Sequence, residues 1–145
     1  MRIISGNHKG KRIVAPKTLP VRPTTDRAKE SLFNILDNKY KLDEKKILDL
    51  FCGTGNISYE FSSRYNSEIT AVDINKKCIR FVEKTSNDLN LNIKTILQDS
   101  YKYLKRTNTK FDIVFLDPPY DYERYYEIKD LIIEKEIINK NGCLI

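Results

Sequence analysis

Ile47-Leu48-Asp49-Leu50-Phe51-Cys52-Gly53-Thr54-Gly55-Asn56 runs from a near-continuous apolar segment straight into a turn with two glycines. The apolar part predicts a buried strand over 47–51. Gly53 and Gly55 predict a tight strand-to-helix turn in which backbone N–H groups can approach a ligand closely. A dinucleotide fingerprint asks for a third glycine at position 58, where this chain has Ser58, and that disfavours an NAD or FAD site. Downstream the pattern recurs. Apolar runs at 69–72, 93–97 and 113–116 alternate with helical segments near 57–64, 76–89, 101–105 and 123–135. Residues 143–145 begin another apolar run. Strands and helices in strict alternation predict an α/β, doubly wound fold, a mostly parallel sheet covered by helices on both faces.

Towards the N-terminus the composition changes. Arg2–Ser5 and Lys11–Ala15, joined through Gly6 and Gly10, predict a β-hairpin. Pro20 and Pro23 hold the chain extended before Thr24, Thr25 and Asp26, which are N-cap candidates for a helix over Arg27–Asp37. In that helix Ala28, Leu32, Ile35 and Leu36 predict the buried stripe. The formal charge of +6 is local: residues 1–29 hold eight bases against Asp26, a balance of +7, so the remainder sums to −1. A cationic segment before a neutral body points to nucleic acid; an acidic membrane fits less well, and a solvated basic terminus is the plain alternative.

Length and composition bound the rest. A chain of 145 residues with 32% charged and 40% hydrophobic side chains is one soluble domain over 1–145. The expectation divides it into a basic extension over 1–24 and an α/β body over 25–145. No stretch is long enough to cross a bilayer and no signal peptide is legible, so the protein is expected in the cytoplasm, away from membranes. Cys52, Cys78, Cys143 and the single His8 make no metal-binding pattern, so no metal is expected.

Parallel sheets bind ligands at the carboxyl ends of their strands, so the polar residues there carry the chemistry. Asp73 follows the second apolar run, 18 residues after Gly55, where a carboxylate either accepts the hydroxyls of a ribose or caps the next helix. Asp99 follows the third, where it either accepts from an adenine amine or starts a helix. The fourth run ends in Asp117-Pro118-Pro119-Tyr120. Successive prolines fix the direction of the Asp117 side chain and the Pro118 carbonyl. Two acceptors aimed at one point suit an exocyclic NH₂ group on a base, with Tyr120 as a stacking surface.

These residues resemble a known series. Asp49 to Gly55, Asp73, Asp99 and the 117–120 tetrapeptide look like the motifs of S-adenosylmethionine-dependent amino methyltransferases. The opening Met1-Arg2-Ile3-Ile4-Ser5-Gly6 and the run from Arg22 to Asn34 are more specific. With them the whole chain resembles the bacterial 16S ribosomal RNA guanine-N2 methyltransferase family that modifies guanine 966. The resemblance implies a Rossmann-like class I methyltransferase fold and S-adenosylmethionine as cofactor. It places Gly53, Thr54 and Gly55 around the methionine part of the cofactor with Asp49 nearby, Asp73 on the ribose and Asp99 on the adenine. Asp117, Pro118, Pro119 and Tyr120 would hold the target guanine. Arg2, Lys9, Lys11, Arg12, Arg22, Thr24, Thr25 and Arg27 would bind 16S ribosomal RNA or an assembling small subunit, with the protein a monomer. Cys52, where alanine is common in the family, is expected to be a small buried residue. The family's sheet has seven strands, so about 30 to 40 residues beyond Ile145 would complete it. Other readings are an amino methyltransferase acting on adenine N6 in DNA or on a protein glutamine, a non-catalytic RNA-binding or cofactor-sensing domain, and a dehydrogenase.

Overall fold

In the computed structural model, which describes residues 1–19 and 24–145, the run at 47–50 becomes β1 (Lys46–Leu50), the middle strand of five. β2 (Glu68–Asp73) and β3 (Ile93–Leu97) lie on one side of it, and β4 (Phe111–Leu116) and β5 (Ile138–Leu144) on the other. The order is β3-β2-β1-β4-β5, and every pairing is parallel. Each parallel step needs a crossover, and each crossover is a helix: α2 (Asn56–Arg64), α3 (Lys76–Asp88), α4 (Ser100–Arg106) and α5 (Tyr125–Glu134), with α1 (Asp26–Lys39) before the sheet. Strand order reverses between β1 and β4, which opens a crevice at their carboxyl ends.

Side chains of β1 alternate between faces and so divide the core. Ile47 packs with Phe33 and Leu36 of α1 and with Ile57 and Phe61 of α2. Leu48 and Leu50 pack with Leu104 of α4 and with Ile128 and Ile132 of α5. Both faces are covered, as the doubly wound expectation required. At about 1.5–3 kcal/mol per buried large aliphatic or aromatic side chain, these two layers supply most of the drive to fold.

Three local expectations are corrected. In α1 the buried stripe is Lys29, Phe33 and Leu36, while Ile35 is exposed. The stripe is out of phase with the apolar pattern because a lysine occupies an interior position. The final strand starts at Ile138, not near 143. Its polar stretch Asn139-Lys140-Asn141-Gly142 lies within the strand at a register shift: Phe111 faces Ile138 and Ile113 already faces Cys143. Asn141 sits at φ 69°, and a Cβ on Gly142 would fall 2.5 Å from the Asp112 carbonyl oxygen, so the irregularity packs closely against β4.

The third correction concerns the basic opening. The expected hairpin is present but short: the antiparallel Arg2–Arg12 bridge is flanked by Ile3 N donating to Lys11 O and Ile13 N donating to Met1 O, each at 3.0 Å. The amides of Ile4 and Ser5 donate to the Glu60 carboxylate, each at 3.0 Å, instead of to a facing strand. The opening is bound into the body: Ile3 is 1% and Ile13 7% exposed, packed with Tyr59, Ala71, Ile79 and Val82. A Cβ on Gly6 would overlap the Ser63 backbone, so glycine is required for the approach to α2.

Candidate active site

The chain leaves β1 at Phe51 with φ 64°, passes Gly53 at 52° and enters α2 from Gly55 at 75°. Three left-handed residues in five make the turn sharp, and the two glycines adopt that region without the Cβ strain that Phe51 bears. A Cβ on Gly55 would lie 2.9 Å from both Tyr59 Cζ and Val82 Cγ2, so the turn is seated directly on the core. Asp49 is buried beneath it, and Ser58 donates to its Oδ2 at 2.5 Å. Ser58 thus fills the place of the missing third glycine with a hydrogen bond. Burial pushes the Asp49 carboxyl up to about 7; the Ser58 hydrogen bond opposes this, and the charges of Asp73 and Asp117 add to it. Cys52 is buried beside it, and burial raises its thiol well above the ordinary range, so it is the inert packing residue expected.

Asp73 closes β2. Its Oδ2 accepts from Gly53 N at 2.8 Å and its Oδ1 from Asn75 N at 2.7 Å. The helix cap itself is Asn75, whose side chain accepts from Lys77 N and Cys78 N. Asp73 therefore braces the glycine turn and keeps further lone pairs on both oxygens. Asp99 does cap its helix: Oδ1 accepts from Lys102 N at 2.9 Å. Beside it, Ser100 Oγ is buried without a partner among the described residues, as is the hydroxyl of Tyr122, whose ionisation is opposed first by burial and then by the Asp99 charge. Unpaired buried hydroxyls cost free energy, and a heterocycle carrying amine and ring nitrogens would satisfy them.

At the end of β4, Asp117 is exposed, Pro118 half-buried, Pro119 exposed, and the Tyr120 ring stands wholly in solvent. The loop then turns back through Tyr122 N donating to Pro119 O at 3.0 Å, and the Tyr122 ring meets Phe51 edge-on at 4.8 Å. Tyr122 and Ser100 were not singled out in the sequence. A tyrosine two residues beyond the tetrapeptide and a serine after the strand-end acid were the available signals.

Lys9, Lys11 and Arg12 are exposed, as is Arg27, whereas Arg2 is partly engaged with Asp26 at 3.3 Å. Thr25 caps α1 by accepting from Ala28 N, and Thr24 gives its carbonyl to Asn56 Nδ2 at 2.8 Å. Arg22 lies outside the described residues. Lys29, part of the basic count, is interior: it pairs with Glu60 at 3.0 Å, and both side chains are 0% exposed. Glu60 also receives Arg64 Nε at 2.8 Å.

Residues 1–145 match the family model described as conserved hypothetical protein 95. Ribosomal RNA small subunit methyltransferase D of Buchnera aphidicola subsp. Baizongia pistaciae is 36% identical over 145 residues, covering 99% of this chain and 74% of that protein. The chain belongs to this family. Its fold is the Rossmann-like methyltransferase fold. A putative methyltransferase, yhhF, from Escherichia coli superposes with TM-score 0.81 at 28% identity, over 100% of this chain and 75% of its own. PKMT2 from Rickettsia typhi, solved in complex with AdoHcy (S-adenosylhomocysteine), superposes with TM-score 0.61 at 28% identity, over 73% of this chain and 21% of its own. No helix among the described residues is long and apolar enough to cross a membrane.

Proposed function

We propose that this chain, as a monomer, transfers a methyl group from S-adenosylmethionine to the exocyclic N2 amine of a guanine in 16S ribosomal RNA, free or in an assembling small subunit. The observation that carries this reading is that β1 to β4 bring four acids, Asp49, Asp73, Asp99 and Asp117, to one edge of the sheet beside a glycine turn. Family membership beside a ribosomal RNA methyltransferase supports the substrate, and a structural neighbour holding AdoHcy supports the cofactor.

The residues fit that cofactor. Asp73 has lone pairs left for ribose hydroxyls, and Asp99 with the unpaired Ser100 and Tyr122 hydroxyls suits adenine. Gly53, Thr54 and Gly55 frame the methionine part over Asp49. The cofactor supplies an electrophilic methyl group on a positively charged sulfur. Asp117 and the Pro118 carbonyl accept the two N–H bonds of the guanine amine and turn its lone pair outward. They also favour the positive charge that develops on nitrogen, while Pro119 stiffens the loop and Tyr120 stacks on the base. Residues 1–24 form the RNA-binding part and 25–145 the catalytic body, with Arg2, Lys9, Lys11, Arg12, Arg22, Thr24, Thr25 and Arg27 along the RNA path. Lys9, Lys11 and Arg12 grip phosphates while the base leaves its stack.

The test is incubation of the chain with isotope-labelled S-adenosylmethionine and 16S ribosomal RNA, followed by digestion and mass mapping of nucleosides. N2-methylguanosine is expected. Label at adenine N6, or label only in a glutamine-bearing protein supplied in a parallel reaction, would assign the site to a different amine.

A further inference from the structure

The interior cation Lys29 belongs to no part of the site described so far, yet its ammonium has three partners, one on the basic opening and two on α2. It donates to the Arg2 carbonyl at 2.6 Å and to Asn56 Oδ1 at 2.8 Å, and it pairs with Glu60 at 3.0 Å. Asn56 continues the chain of contacts, its Nδ2 donating to the Thr24 carbonyl at 2.8 Å. Asn56 is also the residue directly after Gly55, the first of α2. One buried cluster therefore joins the glycine turn to Arg2 on the basic opening and to Thr24 at the head of α1, three residues from the exposed Arg27. A packing role alone does not account for the charges, because apolar side chains of similar volume fill such a space without the desolvation cost of an ion pair. What the charged cluster adds is a directional link between backbone segments.

We propose that Lys29 and Asn56 are positioning residues that couple the glycine turn to the two basic segments, so that cofactor and RNA bind cooperatively. This rests on the methyl-transfer reading above. Any shift of the turn against a bound ligand is carried by Asn56, and through Lys29, to the backbone that presents Arg2 and Arg27. Linkage makes the effect reciprocal, so RNA tightens cofactor binding by the same factor.

The experiment uses the whole chain and two non-reacting probes, S-adenosylhomocysteine and a ribosomal RNA hairpin carrying the target guanine, with RNA affinity read by fluorescence anisotropy. In the wild type, saturating S-adenosylhomocysteine should tighten RNA binding about tenfold, within the usual range for coupled sites. In Asn56→Ala, which leaves the Lys29–Glu60 pair intact, the ratio of RNA affinities with and without S-adenosylhomocysteine should fall below twofold. Lys29→Met should do the same if it folds, and Lys29→Arg should restore part of the ratio. A purely structural role would weaken both binding events and leave the ratio unchanged. Retention of the tenfold ratio in Asn56→Ala overturns the inference, as does independent binding in a wild type that takes both probes; neither result touches the methyl-transfer reading. A wild type that fails to bind one of the probes overturns that reading and this inference together.

Discussion

The ends of β1 and β4 lie side by side in the sheet but are built in opposite ways. At β1 the acids are already engaged inside the chain: Asp49 by Ser58, and the neighbouring Asp73 by the amides of Gly53 and Asn75. At β4 the Asp117 carboxylate has no hydrogen bond among the described residues, and Tyr120 touches only solvent. Preorganisation at β1 suits a cofactor of fixed shape that returns on every cycle. The β4 loop takes its order from two prolines and leaves its acceptors free for a group that arrives with the substrate. The two ends should therefore fail differently when altered, one in binding and the other in turnover.

Asp117→Ala tests the open end with the largest expected effect. Loss of one acceptor that acts as charge develops should cut turnover by about 10² or more, with S-adenosylhomocysteine affinity within about twofold by calorimetry. Equal loss of both would place Asp117 in the cofactor half. Gly55→Ala tests the closed end. The αL backbone alone costs a Cβ roughly 1–2 kcal/mol, and the contacts with Tyr59 and Val82 add to it. Cofactor affinity should fall about thirtyfold, and the turnover of the loaded enzyme should change much less. Tyr120→Ala should leave cofactor binding untouched and raise the RNA KM about tenfold, in keeping with roughly 1–3 kcal/mol per stacked base.

The same contrast explains what the sequence revealed. The strand ends were legible because an acid or a glycine turn follows an apolar run each time, a signal that is local and unambiguous. The tetrapeptide could be placed for the same reason. Less legible was anything that depends on a distant partner. Lys29 reads as surface charge until Glu60, 31 positions away, is known to lie against it. The hairpin was legible but not its length, because the amides of Ile4 and Ser5 leave it to donate to that same glutamate. The polar residues 139–142 carry no strand pattern because the register shift that admits them is set by β4. Tyr122 carries no pattern of its own; only the fold brings it against Phe51.

The smallest effect on turnover, and the sharpest test of the closed end, concerns pH. Burial first, then the nearby Asp73 and Asp117, hold the Asp49 carboxyl at about 7 against an ordinary 3.8. A carboxyl whose pKa is raised on folding binds its proton more tightly in the folded chain, so its contribution to stability is complete below about 3.8 and is lost as pH rises through about 7. At about 1.36 kcal/mol per unit, the loss reaches at most roughly 4 kcal/mol. Asp49→Asn should flatten this dependence, so urea unfolding at pH 5 and pH 8 should differ less in the variant than in the wild type. Equal slopes would show that Asp49 is ionised throughout. The charge that is costly to the empty fold is favourable to a cationic ligand. Preference for S-adenosylmethionine, with its sulfonium, over the neutral sulfur of S-adenosylhomocysteine should therefore rise severalfold in the wild type as pH passes about 7, and stay level in Asp49→Asn. If the preference is level in both, the cofactor's positive charge is held elsewhere along the sheet edge, and the contrast between its two ends narrows to hydrogen bonding alone.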